Sequence, residues 1–236
     1  MTKFIKLLLY KLSRALYNVI PDEIKKNKHD VYELYNKEQQ LNSYNYFKNY
    51  FKNSVLLKNA TELRKYSILK AKEQDKLSQF YNLEFGVFDG TSINFFSNYV
   101  KNIYGFDSFE GLKEDWTGNF GFTKGHFDLK KKLPKVNKNI KLIDGFVQDT
   151  LGDFLEKKDM KINFVHMDLD TYESSLFVLK KIKPYLTKNA IIVFDELHNF
   201  VGWDTGEFKA LKEVFDDSEY EYIAFSMEHQ ATIKVH

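Results

Sequence analysis

The chain has 236 residues, of which 43% are hydrophobic and 29% are charged, as in a folded α/β domain with a short additional segment. With 35 basic and 33 acidic residues, the net charge of +2 is too small for a protein that mainly neutralises a nucleic-acid backbone, so we expect no nucleic-acid partner. The absence of cysteine excludes disulfides, thiolate metal sites and a cysteine nucleophile. The only arginines, Arg14 and Arg64, precede residue 70, so we expect no arginine clamp in the later part of the chain.

The first twenty residues predict an amphipathic helix that ends before Pro21. Basic residues interrupt its apolar run and no small-residue cleavage site follows, which argues against a signal peptide and a membrane span. Its polar face would carry Lys3, Lys6, Lys11, Arg14 and Asn18. Such a helix packs on its own domain or on a second subunit of a homo-oligomer, or it lies on a membrane surface as a peripheral anchor. We expect a cytoplasmic protein.

Residues 22–80 are rich in lysine, asparagine and tyrosine, with helical spacing at Leu63, Tyr66 and Leu69 and no strand alternation. We therefore predict a helical cap over residues 1–80 and a catalytic domain over residues 81–236.

From residue 82 onward, short apolar runs alternate with helical stretches, a pattern typical of a mostly parallel sheet with crossover helices. We predict helices at 91–101, 150–157, 172–186 and 205–216. The seven predicted strands are Asn82–Val87, Asn102–Phe106, Ile140–Ile143, Asn163–Met167, Ala190–Phe194, Tyr220–Phe225 and Ala231–Val235. Only Ser226–Gln230 separates the last two strands, which is too short for a parallel crossover and predicts an antiparallel hairpin. The expected fold is a doubly wound α/β sheet with one reversed strand.

The turn after the first of these strands has features of a ligand site. Gly86 and Gly90 would let backbone approach a ligand at the carboxyl end of the sheet, although a tight turn without a ligand would look the same. The dinucleotide pattern G-x-G-x-x-G is missing, because Phe88 and Thr91 occupy its second and third glycine positions. Glu84, just before the turn, suits a ligand that carries an ammonium group.

Asp107 ends the next strand, 23 residues after Glu84, at the separation where a βαβ unit places an acid on ribose hydroxyls. Together the two acids indicate an adenosine ligand without a diphosphate, joined to a cationic group. S-adenosylmethionine fits this description.

Two acidic pairs follow neighbouring strands: Asp168 with Asp170, and Asp195 with Glu196. Carboxylates at the carboxyl ends of adjacent strands converge, and they repel one another unless a proton or a hard cation neutralises them. Oxygen ligands without a thiolate favour Mg²⁺ or Mn²⁺. The alternative is that Asp170 or Asp195 only caps the following helix.

Two histidines lie near these pairs. His166 is inside a strand, so we expect a buried residue that supports the site rather than a ligand. His198 follows the second acidic pair in a loop and is a candidate catalytic residue, with a solvated loop residue as the alternative.

Five segments of the chain resemble the macrocin O-methyltransferase family, class I S-adenosylmethionine-dependent enzymes that methylate sugar hydroxyls of antibiotics and related glycosides. They are LEFGVFDGTSINFF, IYGFDSFEGL, GFVQDTL, HMDLDTYESS and IIVFDELHNFVGW, within residues 80–215. The resemblance implies a Rossmann-like seven-stranded methyltransferase sheet of order 3-2-1-4-5-7-6.

The resemblance also implies roles for individual residues. Asp168, Asp195 and Glu196 would bind Mg²⁺, and Asp170 would be the general base. Where the family often has Asp-Asp, this chain has Asp195-Glu196, so the second ligand is longer. The residues implied to surround S-adenosylmethionine are Glu84 and Gly86 at methionine, Ser92 at its carboxylate, Asp107 at ribose, and Phe109, Val147 and Gln148 at adenine.

The function implied is transfer of a methyl group from S-adenosylmethionine to a hydroxyl of a small-molecule sugar or glycoside. The lysine- and asparagine-rich composition is typical of an AT-rich bacterial genome, which favours a capsule or other surface-glycan sugar over an antibiotic. Three alternatives remain open: a metal-independent methyltransferase with a non-sugar acceptor, an NAD-dependent oxidoreductase on a similar sheet, and a non-catalytic adaptor.

Overall fold

The structure is a computed structural model that describes residues 10–13, 30–118, 122–156 and 160–236. The chain divides into two compact units, residues 1–38 and residues 39–236. Most of the amphipathic helix predicted before Pro21 lies outside the described residues; residues 10–13 are described and are helical. Within the described ranges, no helix combines the length and the apolar character that crossing a membrane requires.

The second unit is an eight-stranded mixed sheet with helices on its faces. The strands are Val55–Leu57 (β1), Tyr81–Phe85 (β2), Ile103–Asp107 (β3), Ile140–Asp144 (β4), Ile162–Met167 (β5), Leu186–Phe194 (β6), Tyr220–Ser226 (β7) and Ala231–Val235 (β8). The helices are Val31–Phe51 (α1), Ala60–Gln74 (α2), Thr91–Ser97 (α3), Val147–Leu155 (α4), Tyr172–Ile182 (α5) and Glu207–Val214 (α6), and a 3-10 turn, Lys183–Tyr185, follows α5.

The sheet order is β1-β7-β8-β6-β5-β2-β3-β4. β8 is antiparallel to both β6 and β7, and the other neighbouring strands are parallel. All seven predicted strands are present, and among themselves they have the order 3-2-1-4-5-7-6, so the Rossmann-like methyltransferase sheet with one reversed strand is confirmed. β5 illustrates why the prediction worked: all six of its residues are buried, as expected for a strand covered on both faces.

The expectation that residues 22–80 contain no strand is wrong. Val55–Leu57 forms an eighth strand, β1, which pairs in parallel with β7 at the edge of the sheet. Val55 and Leu56 are exposed and the strand is only three residues long, so no alternation marks it in the sequence.

The segment 39–80 packs into the same core as the sheet. Phe47 on α1 and Leu63 and Ile68 on α2 are fully buried in hydrophobic clusters with sheet residues. The boundary between the two compact units lies after Glu38, and the division into a helical cap and a catalytic domain stays a prediction. Asn59 caps α2, because its side chain accepts a hydrogen bond from the Glu62 amide at 3.0 Å.

The boundaries of some helices differ from the prediction. α4 begins at Val147, three residues before the predicted start, and its N-cap, Phe146, offers no polar side chain that would mark the start in the sequence. β6 begins at Leu186 instead of Ala190, directly after the 3-10 turn that contains Pro184.

Gly86 allows the ends of β2 and β5 to approach closely. Its φ is +86°, and a Cβ on this residue would lie 1.7 Å from the carbonyl oxygen of Asp168. Only glycine fits this backbone conformation and contact. The close approach brings the turn after β2 next to the acidic residues that follow β5.

Candidate active site

The predicted acidic residues lie in the last residues of β2 and β3 or just after β5 and β6, and these four strands are parallel neighbours that end at one edge of the sheet. Backbone hydrogen bonds fix where two of the acidic segments begin. The amide of Asp168 donates to the carbonyl of Phe85 at 2.9 Å, and the amide of Asp195 donates to the carbonyl of Met167 at 3.0 Å. The fold thus brings all the predicted acidic segments to this edge.

Asp107 organises the turns after β2 and β3. Its Oδ2 accepts hydrogen bonds from the amides of Val87 and Phe88, each at 2.8 Å, and its Oδ1 accepts one from the amide of Phe109 at 2.7 Å. A carboxylate that receives three backbone amides is held firmly in place. Its predicted contact with ribose stays a prediction.

Glu84, Ser92 and His166 form a buried group behind the turn. The Ser92 hydroxyl donates a hydrogen bond to Glu84 Oε1, and His166 Nδ1 lies 3.6 Å from the same oxygen. Glu84 pairs with His166 in the β2–β5 register, and both side chains are fully buried. The prediction that His166 is buried is confirmed. Glu84 Oε2 is buried without a hydrogen-bond partner.

The residues predicted to border adenine are placed differently. The Phe109 ring is 1% exposed and packs in the hydrophobic core, and Val147 is also buried. Gln148 is half-buried on α4, where its amide oxygen accepts a hydrogen bond from Lys113 Nζ at 3.4 Å. Phe109 and Val147 are thus core residues in this structure, and the adenine role of the three residues stays a prediction.

The acidic pairs after β5 and β6 converge as predicted. Ligand atoms of Asp168, Asp170 and Glu196 lie within 4.8 Å of one another, and so do those of His166, Asp168 and Asp195. Asp168 belongs to both groups, whereas Asp195 and Glu196 fall into different groups. The three predicted metal ligands thus do not form one such group among the described residues.

Burial and mutual repulsion perturb the ionisation of these carboxyls. Burial, reinforced by the charge of Asp195, raises the pKa of Asp168 and of Glu196 well above their ordinary values. Burial and the charges of Asp195 and Asp107 raise the pKa of Asp170 to about 7. Asp170 has φ +61°, a left-handed conformation that is uncommon for a non-glycine residue and often occurs at functional sites.

Asp195 differs from its neighbours because it has cationic partners. Arg64 Nη2 on α2 donates to Asp195 Oδ1 at 2.6 Å, and His166 Nε2 lies 3.4 Å from the same oxygen. Burial acts to raise the pKa of Asp195, but His166 and Arg64 outweigh it and hold the pKa below its ordinary value. Burial likewise acts to lower the pKa of His166, but Asp195 and Glu84 raise it to about 9. This single contact is not a bidentate clamp, so it does not contradict the expectation about arginine clamps, but it does bring an arginine to a carboxylate of the later part of the chain.

His198 is buried among aromatic rings, and its predicted catalytic role stays a prediction. Its ring is 4% exposed and lies 5.3–6.0 Å from the rings of Phe225, Phe47 and Phe51, and its Nε2 is 3.2 Å from the carbonyl of Gln230. Burial lowers its pKa to about 4, so the ring is neutral at pH 7. The solvated-loop alternative is wrong, and these contacts give His198 a packing role beside a pocket of about 270 Å³.

Glu207, at the start of α6, is a site residue that sequence reasoning missed. Its side chain is fully buried, and its Oε2 accepts a hydrogen bond from the amide of Glu196 at 3.1 Å. Burial raises its pKa, and the charges of Asp168 and Asp195 raise it further. Its position in the first turn of a helix is common for any glutamate, so the local sequence carried no sign of this contact.

Comparisons with known proteins show that the chain has a methyltransferase fold. Residues 83–197 match a family model described as a methyltransferase domain. The chain is similar to the crystal structure of CalS11, a calicheamicin methyltransferase, with a TM-score of 0.61 and 21% identity over 99% of this chain and 93% of that chain. It is similar to the O-methyltransferase NovP, with a TM-score of 0.53 and 15% identity over 74% and 78% of the two chains.

An apo structure of CalS11, described as a TDP-rhamnose 3′-O-methyltransferase in calicheamicin biosynthesis, gives a TM-score of 0.49 at 24% identity over 71% of this chain and 77% of that one. No curated protein matches the sequence significantly.

The matched segment begins in β2 and ends just after β6, so it contains both the turn around Asp107 and the acidic pairs. This match favours a methyltransferase over the oxidoreductase and the non-catalytic adaptor. Residues 83–197 match a methyltransferase domain, and the chain has the fold of the methyltransferases CalS11 and NovP.

Proposed function

We propose that the chain transfers a methyl group from S-adenosylmethionine to a hydroxyl of a sugar or glycoside, with Mg²⁺ at the acidic cluster and Asp170 as general base. The observation that carries this proposal is the convergence of Asp168, Asp170 and Glu196 at the edge of a methyltransferase sheet. Donor binding alone does not require three half-buried carboxyls in one place, so the cluster favours a cation-assisted reaction.

The turn after β2 suits the donor. Glu84 Oε2 is a buried acceptor without a partner, which a cationic amino group would satisfy, and Asp107 is held at the end of β3 where a ribose would lie. S-adenosylmethionine supplies an already activated methyl group when it is bound.

The acidic cluster suits a hard divalent cation. Glu196 Oε2 is buried without a hydrogen-bond partner, and oxygens of Asp168 and Asp170 lie within 4.8 Å of this side chain's ligand atom. We expect Asp168 and Glu196 to hold the cation, with Asp195, which lies with Asp168 in the neighbouring group, as the third ligand. When bound, Mg²⁺ would fix the acceptor's hydroxyl groups and lower the pKa of the reacting one.

Asp170 is suited to accept the proton of that hydroxyl. A general base is most effective when its pKa is near the working pH, and burial together with neighbouring charges raises the pKa of Asp170 to about 7. Its backbone conformation, fixed between β5 and α5, holds the carboxyl at the cluster.

The comparison with CalS11 suggests the acceptor class. CalS11, similar to this chain over nearly its whole length, is by its description a TDP-rhamnose 3′-O-methyltransferase. A nucleotide-activated deoxysugar is therefore the first acceptor to test. A bacterial, cytoplasmic role in surface-glycan synthesis stays a prediction from composition.

The test is a transfer screen with S-adenosylmethionine carrying a deuterated methyl group. Purified protein is incubated with nucleotide-activated sugars and free sugars, with Mg²⁺ or with EDTA, and products are identified by mass spectrometry. We expect a labelled sugar that forms with Mg²⁺ and not with EDTA. Donor binding without any methylated sugar in the screen would contradict the proposal.

A metal-independent methyltransferase with a non-sugar acceptor is the second candidate. The ion pair between Arg64 and Asp195 favours it, because this pair neutralises one carboxylate without a metal. Undiminished transfer in EDTA would select this candidate.

A further inference from the structure

Arg64 connects helix α2 to the acidic cluster. It is 131 residues from Asp195 in the chain, yet its Nη2 lies 2.6 Å from Asp195 Oδ1. The two side chains are only 18% and 13% exposed. α2 packs against β5, β6 and β7, so the sheet fixes the position from which Arg64 reaches this carboxylate. A short, mostly buried charge-assisted bond of this kind is strong.

Both oxygens of Asp195 already face donors. His166 Nε2 approaches Oδ1 at 3.4 Å in addition to Arg64, and Gln230 Nε2 lies 3.4 Å from Oδ2. The neighbouring Glu196 differs in this respect, because its Oε2 is buried with no partner. Asp195 Oδ2 thus faces a neutral amide, whereas Oδ1 already carries a cationic side chain.

A guanidinium and a divalent cation cannot share this oxygen without strong repulsion. Mg²⁺ binds carboxylate oxygens at about 2.1 Å, so a guanidinium at hydrogen-bond distance from the same oxygen would lie within a few ångströms of the metal charge. In the mostly buried surroundings of Asp195, little solvent would screen that repulsion.

We propose that Arg64 and a divalent cation are alternative partners of Asp195, so that Arg64 holds this ligand until the cation replaces it. The inference rests on the cation site of the proposed function. Arg64 is then a positioning residue: it keeps the cation-free cluster folded and lowers the affinity of the cluster for the cation.

The test is calorimetric titration of Mn²⁺ into the purified full chain and its Arg64→Met variant. Methionine fills similar space without charge, so Asp195 is released and the Mn²⁺ Kd should fall about tenfold, the size expected from loss of one charge-assisted bond. Lys70→Met is the matched control, because Lys70 is exposed on the same helix, and its Kd should equal that of the wild type. If Arg64→Met does not fold, Arg64→Lys replaces it, and its Kd should also fall, by less.

The Asp195→Asn background shows whether the competition occurs at this carboxylate. There, Arg64→Met should leave the Kd unchanged, because the shared ligand is gone. Tightening that persists in Asp195→Asn, or an Arg64 variant with unchanged or weaker binding, would overturn the inference.

The outcome for Arg64 is separable from the outcome for methyl transfer. Metal-dependent transfer with a Kd insensitive to Arg64 would remove the inference alone. A Kd that tightens as predicted in a protein that methylates no sugar would support the inference and remove the proposed acceptor. Absence of Mn²⁺ binding in every variant would overturn both the cation site and the inference.

Discussion

Two parts of the same sheet edge carry carboxylates that differ in their hydrogen-bond partners. Asp107, after β3, accepts three backbone amides at 2.7–2.8 Å. After β5 and β6, the carboxyls of Asp168, Asp170 and Glu196 crowd together, and Glu196 Oε2 has no partner. The folded chain itself supplies the hydrogen-bond donors that Asp107 needs. The three crowded carboxyls need protons or a cation to offset their mutual repulsion.

This difference separates residues that build the site from residues that react in it. A carboxylate that is saturated by backbone amides holds turns in place and can offer its remaining acceptor capacity to a ligand. Carboxyls with raised pKa values, such as those of Asp168 and Glu196, destabilise the folded state at neutral pH. Such groups are typical of functional sites. The predictions below test this division, beginning with the largest effect.

Asp170→Asn should reduce the turnover number by about 100- to 10,000-fold, because an amide cannot accept the hydroxyl proton. Binding of S-adenosylmethionine, measured by calorimetry, should stay near the wild-type value. Asp149→Asn is the matched control, since Asp149 is exposed on α4, and it should retain activity. Full activity in Asp170→Asn would show that Asp170 is not the general base and has only a structural role.

His198→Phe should change the pH dependence of stability and leave transfer at pH 7 near the wild-type rate. Because burial lowers the pKa of His198 to about 4, the unfolded chain binds a proton here that the folded protein does not. The folded state therefore keeps its full stability above about pH 6.5. Its free energy of unfolding decreases as the pH falls toward 4, because the unfolded chain gains a proton on His198.

Between pH 7 and pH 4.5, the free energy of unfolding of the wild type should fall by roughly 2–3 kcal/mol more than that of His198→Phe. Denaturant titration at the two pH values measures this difference. Equal losses would show that the ring is not held neutral, and a large loss of transfer at pH 7 would restore the catalytic role that the sequence suggested.

Asp107→Asn and Glu196→Gln should shift stability in opposite directions when urea unfolding is followed in EDTA at pH 7. The asparagine cannot accept all three backbone amides, so we expect a loss of about 2 kcal/mol. The glutamine removes a buried carboxyl with a raised pKa, so we expect a gain of about 1 kcal/mol. Shifts of the same sign would remove the distinction between the two parts of the edge.

The strands and the acidic pairs could be predicted because local sequence encodes them. A strand that is buried on both faces, such as β5, is a short and mostly apolar run, and an acidic residue follows directly at its carboxyl end. β1 could not be predicted, because a three-residue edge strand with exposed Val55 and Leu56 resembles the surrounding helical sequence.

The partners of the site residues could not be predicted, because they come from distant parts of the chain. Arg64 reaches Asp195 only because α2 packs across the sheet, and Phe47 and Phe51 on α1 bury a histidine about 150 residues away. Local pattern places a side chain at an edge, but tertiary packing decides whether it meets a cation, an aromatic ring or water.

The central claim, that the unpartnered carboxyls form a divalent-cation site, is tested most directly by Mn²⁺ calorimetry on the wild type and Glu196→Gln. The exposed Glu221→Gln serves as the matched control. We predict saturable Mn²⁺ binding to the wild type and to the control, and binding weakened by about tenfold or more in Glu196→Gln. Equal binding by Glu196→Gln and the wild type, or no binding by the wild type, would contradict the account.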